Sequence, residues 1–442
     1  MIPFAIDPAA LGLAMIVSFM ALIMTKRMSA VAALLAAPIV FGLLAGAGDG
    51  LGDMMLQGVL QVAPTALMLA FAVLYFAIMM DAGLFDPLVR WVLRVVGEDP
   101  VRISLGTAFL TTVVSLDGDG TTTALIVITA FLPVYRRVGM NPLILATLLG
   151  LCNSLMNFVP WGGPSARAAA AVQAELGAVV GPLLPAMAAG FAAIFMLAWM
   201  FGRSERRRLA GVPAPQQVQT SPLATSEPEP EYRRPRLLIF NLALTLGLVL
   251  GMVLSLAPLP VLMMGAFAIA VTVNYPRLQD QRARMGAHAE NVAAVVVLIF
   301  SAGAFTGVLN GTGMADAMAR EALAILPPAV GPFLAPITAL ASMPLTFVMS
   351  NDAYYFGVVP VVAKAGAAFG IPAEAIARAS LLGQPVHALS PLLAPIYLAC
   401  GLLGVDVADA QRFSLKWAVL ICLVLLVAAL ATGAVPLMGT SV

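Results

Sequence analysis

The sequence predicts an all-α polytopic membrane protein: two inverted repeats of five transmembrane helices, each with a re-entrant hairpin and a broken helix. Three observations carry that prediction. Of the 442 residues, 61% are hydrophobic and only 10% are charged, whereas a soluble domain carries about 25% charged residues. Two apolar hairpins are each interrupted by a small, polar, acidic tip, Ser115-Leu-Asp-Gly-Asp-Gly-Thr-Thr-Thr123 and Ser350-Asn-Asp-Ala353. Two later apolar runs are broken by dense proline and glycine, at Pro160-Trp-Gly-Gly-Pro164 and Gly383-Gln-Pro-Val-His-Ala-Leu-Ser-Pro391. Paired interruptions at corresponding positions are the mark of inverted repeats with a site near the bilayer midplane.

The elements follow in order. Ala9–Met24 and Ala30–Leu44 read as the first two spans, and Gln57–Met80 as the third. Met1–Pro8 lacks the basic region and cleavage site of a signal peptide, so the first span is expected to be retained. Leu84–Val96, with Asp86, Arg90 and Arg94 about a turn apart, reads as an interfacial amphipathic helix. The first hairpin occupies 101–134; its apolar runs, Ile103–Val114 and Ala124–Val134, are each about twelve residues, short of the roughly 20 that cross a bilayer. The broken helix spans 142–180, and Pro182–Met200 closes a first repeat of 1–200. Phe201–Arg236, rich in Pro, Ser, Gln and Glu, reads as a disordered cytoplasmic linker over 201–236.

The second repeat, 237–442, has the same order. Leu237–Leu256, Leu259–Val273 and Asn291–Leu309 are its first spans, and Met314–Ile325 its amphipathic piece. The hairpin covers 331–363, the broken helix 376–404, and Leu415–Val435 is the last span. Five spans per repeat invert the second half. Cytoplasmic loops are enriched in Lys and Arg. With Lys26-Arg27 inside, Arg136-Arg137, the linker, Arg277–Arg284, Arg412 and Lys416 all fall inside, and both termini fall outside.

The tips and breaks hold the candidate site. Ionisable groups at membrane depth are costly and functional by default, so Asp117, Asp119 and Asp352 are candidate metal ligands. Around them, Gly120, Thr121, Ser350 and Asn351 belong to the tips, and Asn157, Gly162, Gly163, Ser165, Arg167, Gln384, His387 and Ser390 to the breaks. These, with Asp119, form the candidate substrate site. Plain competing readings exist. The tips also fit ordinary loops, and proline also makes packing kinks. Arg167 fits either a substrate carboxylate or an aspartate partner. His387 fits either a proton carrier or a neutral hydrogen-bonded ring. Trp161 also reads as a packing residue, and His288 beside Glu290 reads as solvated.

Cys152, Cys400 and Cys422 lie in apolar runs without paired spacing and read as core residues. No basic patch interleaved with aromatics suggests nucleic acid. Neither a His/Glu metalloprotease motif nor a nucleophile elbow suggests an enzyme.

Five stretches together resemble the citrate–divalent-metal:proton symporter family of the ion-transporter superfamily. They are the first tip, Gly139-Met-Asn-Pro-Leu143, Pro160-Trp-Gly-Gly-Pro-Ser-Ala-Arg-Ala168, Asp352-Ala-Tyr-Tyr-Phe-Gly-Val-Val-Pro360 and Gly383–Pro391. The resemblance implies a non-enzymatic secondary transporter in a bacterial inner membrane, a homodimer embedded in lipid, and an elevator motion. It implies citrate as substrate, a divalent metal of the Mg or Ca class as co-substrate, and protons, or else sodium, as coupling ion. Sodium-coupled relatives carry Ser-Asn-Thr at both tips; here Asp352 replaces Thr in the second, and the first reads Asp-Gly-Asp-Gly. A sodium-coupled carrier of di- or tricarboxylates is the alternative. A channel is a further one, which saturable, gradient-driven accumulation would exclude.

A cysteine placed by Ser221→Cys is expected to resist membrane-impermeant maleimide in intact cells and to react after permeabilisation. Labelling in intact cells would overturn the cytoplasmic linker.

Overall fold

The computed structural model describes residues 7–118, 120–210, 230–254, 256–325, 327 and 329–439. Among the described residues every regular element is a helix. It opens with α1 (Pro8–Met24), α2 (Ala30–Leu44), α3 (Leu51–Asp81) and the amphipathic α4 (Asp86–Val96). The first hairpin is α5 (Pro100–Val114) and α6 (Gly120–Val138), joined by a 3-10 turn at Ser115–Asp117. There follow α7 (Pro142–Met156), α8 (Gly163–Ala171), α9 (Leu176–Val180) and α10 (Leu184–Leu209). Beyond the linker come α11 (Leu238–Val253), α12 (Leu259–Asn274), α13 (Leu278–Ala287), α14 (Ala289–Gly311) and α15 (Met314–Ile325). The second hairpin is α16 (Leu334–Val348), then α17 (Asn351–Ala353), a π-turn at Tyr354–Val358 and α18 (Val359–Ala367). The chain ends with α19 (Ala373–Leu381), α20 (Gln384–His387), α21 (Ala394–Leu403) and α22 (Val407–Ala431).

Among the described residues, six helical stretches are long and apolar enough to cross a membrane: Leu51–Asp81, Leu176–Leu209, Pro235–Met252, Ala289–Gly311, Gly331–Val348 and Val407–Ala431. Shorter apolar helices, including α1, α2, α5, α7, α12 and α21, fill the space between them.

At the centre α3 crosses α14 at backbone contact. A Cβ on Gly58 would meet the Gly303 carbonyl oxygen at 2.0 Å, and one on Gly307 would meet the Met54 carbonyl oxygen at 2.2 Å. Small residues allow this approach, which gives lipid-embedded helices their dispersion contacts. On either side α3 packs against α12, and α14 packs against α2.

The arms of the first hairpin return alongside each other, with the Thr107 and Tyr135 hydroxyls 3.3 Å apart. They are longer than about twelve residues. Helix α5 starts at Pro100 behind the N-cap Asp99, and α6 runs through Tyr135-Arg-Arg-Val138. Asp99 accepts the Val101 N–H and a pair of bonds from Arg206 on α10. Burial raises the Asp99 carboxyl, but Arg206, the Val101 N–H and Arg102 outweigh it and hold it below its ordinary value. A carboxyl depressed in this way stabilises at neutral pH and loses that contribution only as pH falls through its lowered titration.

Several boundaries differ from the sequence expectation for local reasons. The first broken helix is interrupted twice, because α8 stops at Ala171 and Gln173 takes a positive φ of 55° before α9. Helix α10 continues through the arginines to Leu209 rather than ending at Met200. Its Glu205 accepts from the Asn141 N–H and from Arg208, and Arg208 also donates to the Gly139 carbonyl. The Gly139–Leu143 motif is thus a helix turn anchored to α10. The stretch Arg277–Arg284 is mostly helix α13, not a loop.

The end of the linker is docked, not free. Tyr232 accepts from the Tyr275 hydroxyl, Arg234 Nε donates to the Asn274 carbonyl, and the Arg234 N–H donates to Ala82 O. His288 is not solvated: its Nε2 lies 2.8 Å from Asp81 Oδ2, in a cluster with Arg284. Arg284 on α13 and His288 at the junction of α13 and α14 meet Asp81 at the end of α3.

Gly58→Ala is expected to overpack the α3–α14 crossing, at about 1–3 kcal/mol, and to lower the melting temperature of detergent-purified protein. Gly265→Ala, whose Cβ would meet nothing within 4 Å, should leave it unchanged or raise it.

Candidate functional site

Both tips and both breaks border one cavity of about 240 Å³. Gly118 and Gly120 reach it from the first tip and Asn351 from the second. Asn153, Asn157, Gly163 and Arg167 reach it from the first break, and Gln384, His387 and Ala388 from the second. The N-terminal turn of α21 closes it with Leu393, Pro395 and Ile396.

The breaks arise from residue chemistry. Pro160 and Pro164 lack an N–H, which removes a helix bond and disfavours continuation from α7. Gly162 lies against the end of α7: its Cβ would meet the Asn157 carbonyl oxygen at 2.0 Å. Ser165 spans the gap by donating to that same oxygen at 3.2 Å. Helix α8 therefore restarts with its N-terminal amides at the cavity. In the second break, α20 is a single turn between Gly383 and Ser390, and α21 restarts after Leu393.

Each break is tied to a tip. Trp161 Nε1 donates to the Leu116 carbonyl at 2.6 Å, and its ring packs on Phe76. Gln384 Nε2 donates to Asn351 Oδ1 at 3.1 Å and to the Tyr355 hydroxyl at 2.9 Å. His387 Nδ1 donates to the Thr346 carbonyl at 2.6 Å, and Ser390 donates to Phe347 O at 2.7 Å. Those two carbonyls end α16 and have no helical partner of their own. Ser350 caps α17 by accepting the Ala353 N–H.

At the cavity an ion pair joins the halves. Arg167 Nε on α8 donates to Asp352 Oδ1 on α17 at 2.6 Å, with side chains 23% and 19% exposed. Such a pair is short because both partners are charged. Arg167 Nη1 lies over Gly163, whose Cβ would meet it at 2.8 Å. The guanidinium thus turns Nε to Asp352 and an Nη to the start of α8.

Of the expected substrate residues, Gly120, Asn157, Gly163, Arg167, Asn351, Gln384 and His387 come together on the cavity. Gly162, Ser165, Ser350 and Ser390 instead brace the interruptions. Thr121 lies in the first turn of α6. Asp119 and the side chain of Asp117 lie outside the described residues. Asp352 faces Arg167, and among the described residues no group of three or more His, Cys, Asp or Glu is placed to hold a metal. Asn153, which the sequence also places around the first break, borders the cavity too. Ala146, Leu149, Gly150, Asn153 and Asn157 recur at helical spacing on one face of α7. The contribution of α21 and of Ser414 carried no such signal.

A polytopic helical protein with interrupted segments around a cavity that Asn, Gln, His and Arg side chains line has the build of a membrane carrier. Comparisons with known proteins give the family. Residues 8–383 match the citrate transporter family model. A citrate transporter of Bacillus subtilis (strain 168) is 51% identical over 96% of this chain and 99% of its own length. A Mg(2+)/citrate complex secondary transporter of the same organism is 46% identical over 97% and 99%. In fold, the chain is similar to the solved structure of Neisseria gonorrhoeae MtrF, with TM-score 0.62 and 15% identity, covering 99% of this chain and 97% of that one. The chain belongs to the citrate transporter family, whose work is transport rather than catalysis.

Arg167→Ala is expected to weaken citrate binding at least tenfold, about 1.4 kcal/mol, and to destabilise the fold by leaving Asp352 without its partner. Arg167→Ala combined with Asp352→Asn removes both charges and should recover the melting temperature but not the affinity. Calorimetric titration and thermal unfolding in detergent check both. Unchanged affinity in the single variant would make this arginine purely structural.

Proposed function

We propose that this protein imports citrate complexed with a divalent metal ion, driven by protons. The observation that carries the reading is electrostatic. The N-termini of α6, α8 and α21 converge on the cavity beside Arg167. Each N-terminus carries a positive partial charge, which favours carboxylates. Arg167, already oriented by Asp352 through Nε, offers its remaining N–H groups to a carboxylate.

Citrate alone is largely trianionic at neutral pH. A divalent metal reduces the complex to one net negative charge, with the citrate oxygens as hard ligands. Moving that charge inward against the potential costs about 2.3 kcal/mol per 100 mV. Two or more protons travelling with it reverse the sign. The metal is cargo here, of the Mg or Ca class, as the name of the Mg(2+)/citrate relative suggests.

The architecture we infer is two inverted repeats of five spans, 1–200 and 237–442, around a cytoplasmic linker. The repeated order of hairpin, broken helix and closing helix supports it, as do the reciprocal contacts of α3 with α12 and α14 with α2. The bonds between tips and breaks would let these parts move as one body against α1–α3 and α11–α14, in an elevator motion. A homodimer in a bacterial inner membrane, with both termini outside, completes the reading.

Purified protein in proteoliposomes should accumulate labelled citrate only with a divalent metal present and an acid-outside pH gradient. Metal-independent uptake that requires sodium would overturn this function in favour of a sodium-coupled carrier.

A further inference from the structure

We propose that the coupling proton rides on Nε2 of His387, an assignment that rests on the proton-driven reading above. Three features of the second break carry it. The imidazole is nearly buried, at 3% exposure, and lines the cavity. Its Nδ1 faces the Thr346 carbonyl at 2.6 Å. A carbonyl only accepts, so Nδ1 carries the hydrogen and the neutral ring keeps its lone pair on Nε2. Among the described residues, that Nε2 has no partner. A buried acceptor without a partner is costly; this lone pair can take a proton, provided that the N–H so formed finds an acceptor in turn.

The surroundings couple this proton to the substrate. The charged groups acting on His387 are Arg167 from α8 and Asp352 from α17. Helix α16 contributes its Thr346 carbonyl and no ionisable side chain, while α7 and α22 bring the buried thiols Cys152 and Cys422. The π-turn brings the Tyr355 hydroxyl, which accepts from Gln384. Arg167 and the positive helix N-termini repel a second cation at this site. An anionic metal–citrate complex reverses that field, and an Nε2–H then donates to a citrate carboxylate. Substrate and proton therefore bind together and leave together, which is what symport requires. Asp352 is the weaker carrier, because protonation would sacrifice its charge-assisted bond to Arg167. The balance is simple: Nε2 takes a proton from outside water and returns it to inside water.

His387→Asn tests this, since the Asn amide can still donate to Thr346 O while the Nε2 position is removed. In proteoliposomes loaded with a pH-sensitive dye, the variant is expected to carry one proton fewer per citrate than wild type. Its pH-gradient-driven accumulation should fall at least tenfold. Asp352→Asn should bind citrate more weakly yet keep the wild-type proton count. An unchanged proton count in His387→Asn overturns the assignment. So does a change of preference between nickel and magnesium with the proton count intact, which makes Nε2 a metal ligand. Wild-type uptake that ignores the pH gradient would instead sink the proton-driven function itself.

The wild type gives a second measurement independent of any folding defect. The chain has only two histidines, so 15N-labelled imidazole signals separate His387 from His288, with His288→Asn for assignment. Adding magnesium and citrate at fixed neutral pH should convert the His387 signal from the neutral Nδ1–H form to imidazolium. A signal that stays neutral overturns the proposal.

Discussion

The ion pair between Arg167 and Asp352 is the contact on which the site depends. Arg167 stands in the first half, one turn into a helix that restarts after a break. Asp352 stands in the second half, one residue into a helix that restarts after a tip. Each side chain alone would be a largely buried charge, 23% and 19% exposed, without a countercharge. Removing one partner of a buried pair commonly costs about 3–5 kcal/mol, because the other is left uncompensated. The pair therefore constrains the break and the tip to face each other. It also sets the guanidinium so that its remaining donors point along the wall of the cavity.

Interrupted helices make this possible, and they have to be stabilised once interrupted. Backbone groups at a break in a membrane are tolerated only where protein or a polar cavity satisfies them. Here Trp161, Ser165, His387 and Ser390 each donate to a carbonyl freed at or near an interruption. The N-terminal ends of α6, α8 and α21 border the cavity, so the carbonyls of the interruptions are bound by side chains while the positive helix ends face the open space.

The surrounding helices provide a rigid reference. The glycine crossing of α3 and α14 locks two long helices at backbone contact, and the docked residues before α11 lock their ends. Asp81 holds His288 and Arg284 there, and Arg233 reaches Asp86 at 3.1 Å. These ties lie far from the breaks in the chain and involve none of the cavity residues.

The sequence alone determined the class and the places where the helices break. Those follow from local chemistry: long apolar runs, prolines that cannot continue a helix, and glycines where backbone must approach backbone. Pro160–Pro164 and Gly383–Pro391 read as breaks because no partner is needed to make them so. Pairing was different. Arg167 was legible as either a substrate ligand or an aspartate's partner, and only the packing of α8 against α17 decided that it holds Asp352. His387 was legible as a proton carrier or a bonded neutral ring, and only the approach of Thr346 O fixed which nitrogen is free. His288 read as solvated because its partner, Asp81, lies 207 residues away. Ser165, Ser350 and Ser390 read as ligands because a hydroxyl in a break serves a substrate and a backbone carbonyl equally well. Their partners are chosen by three-dimensional distance, which the order of residues does not encode locally.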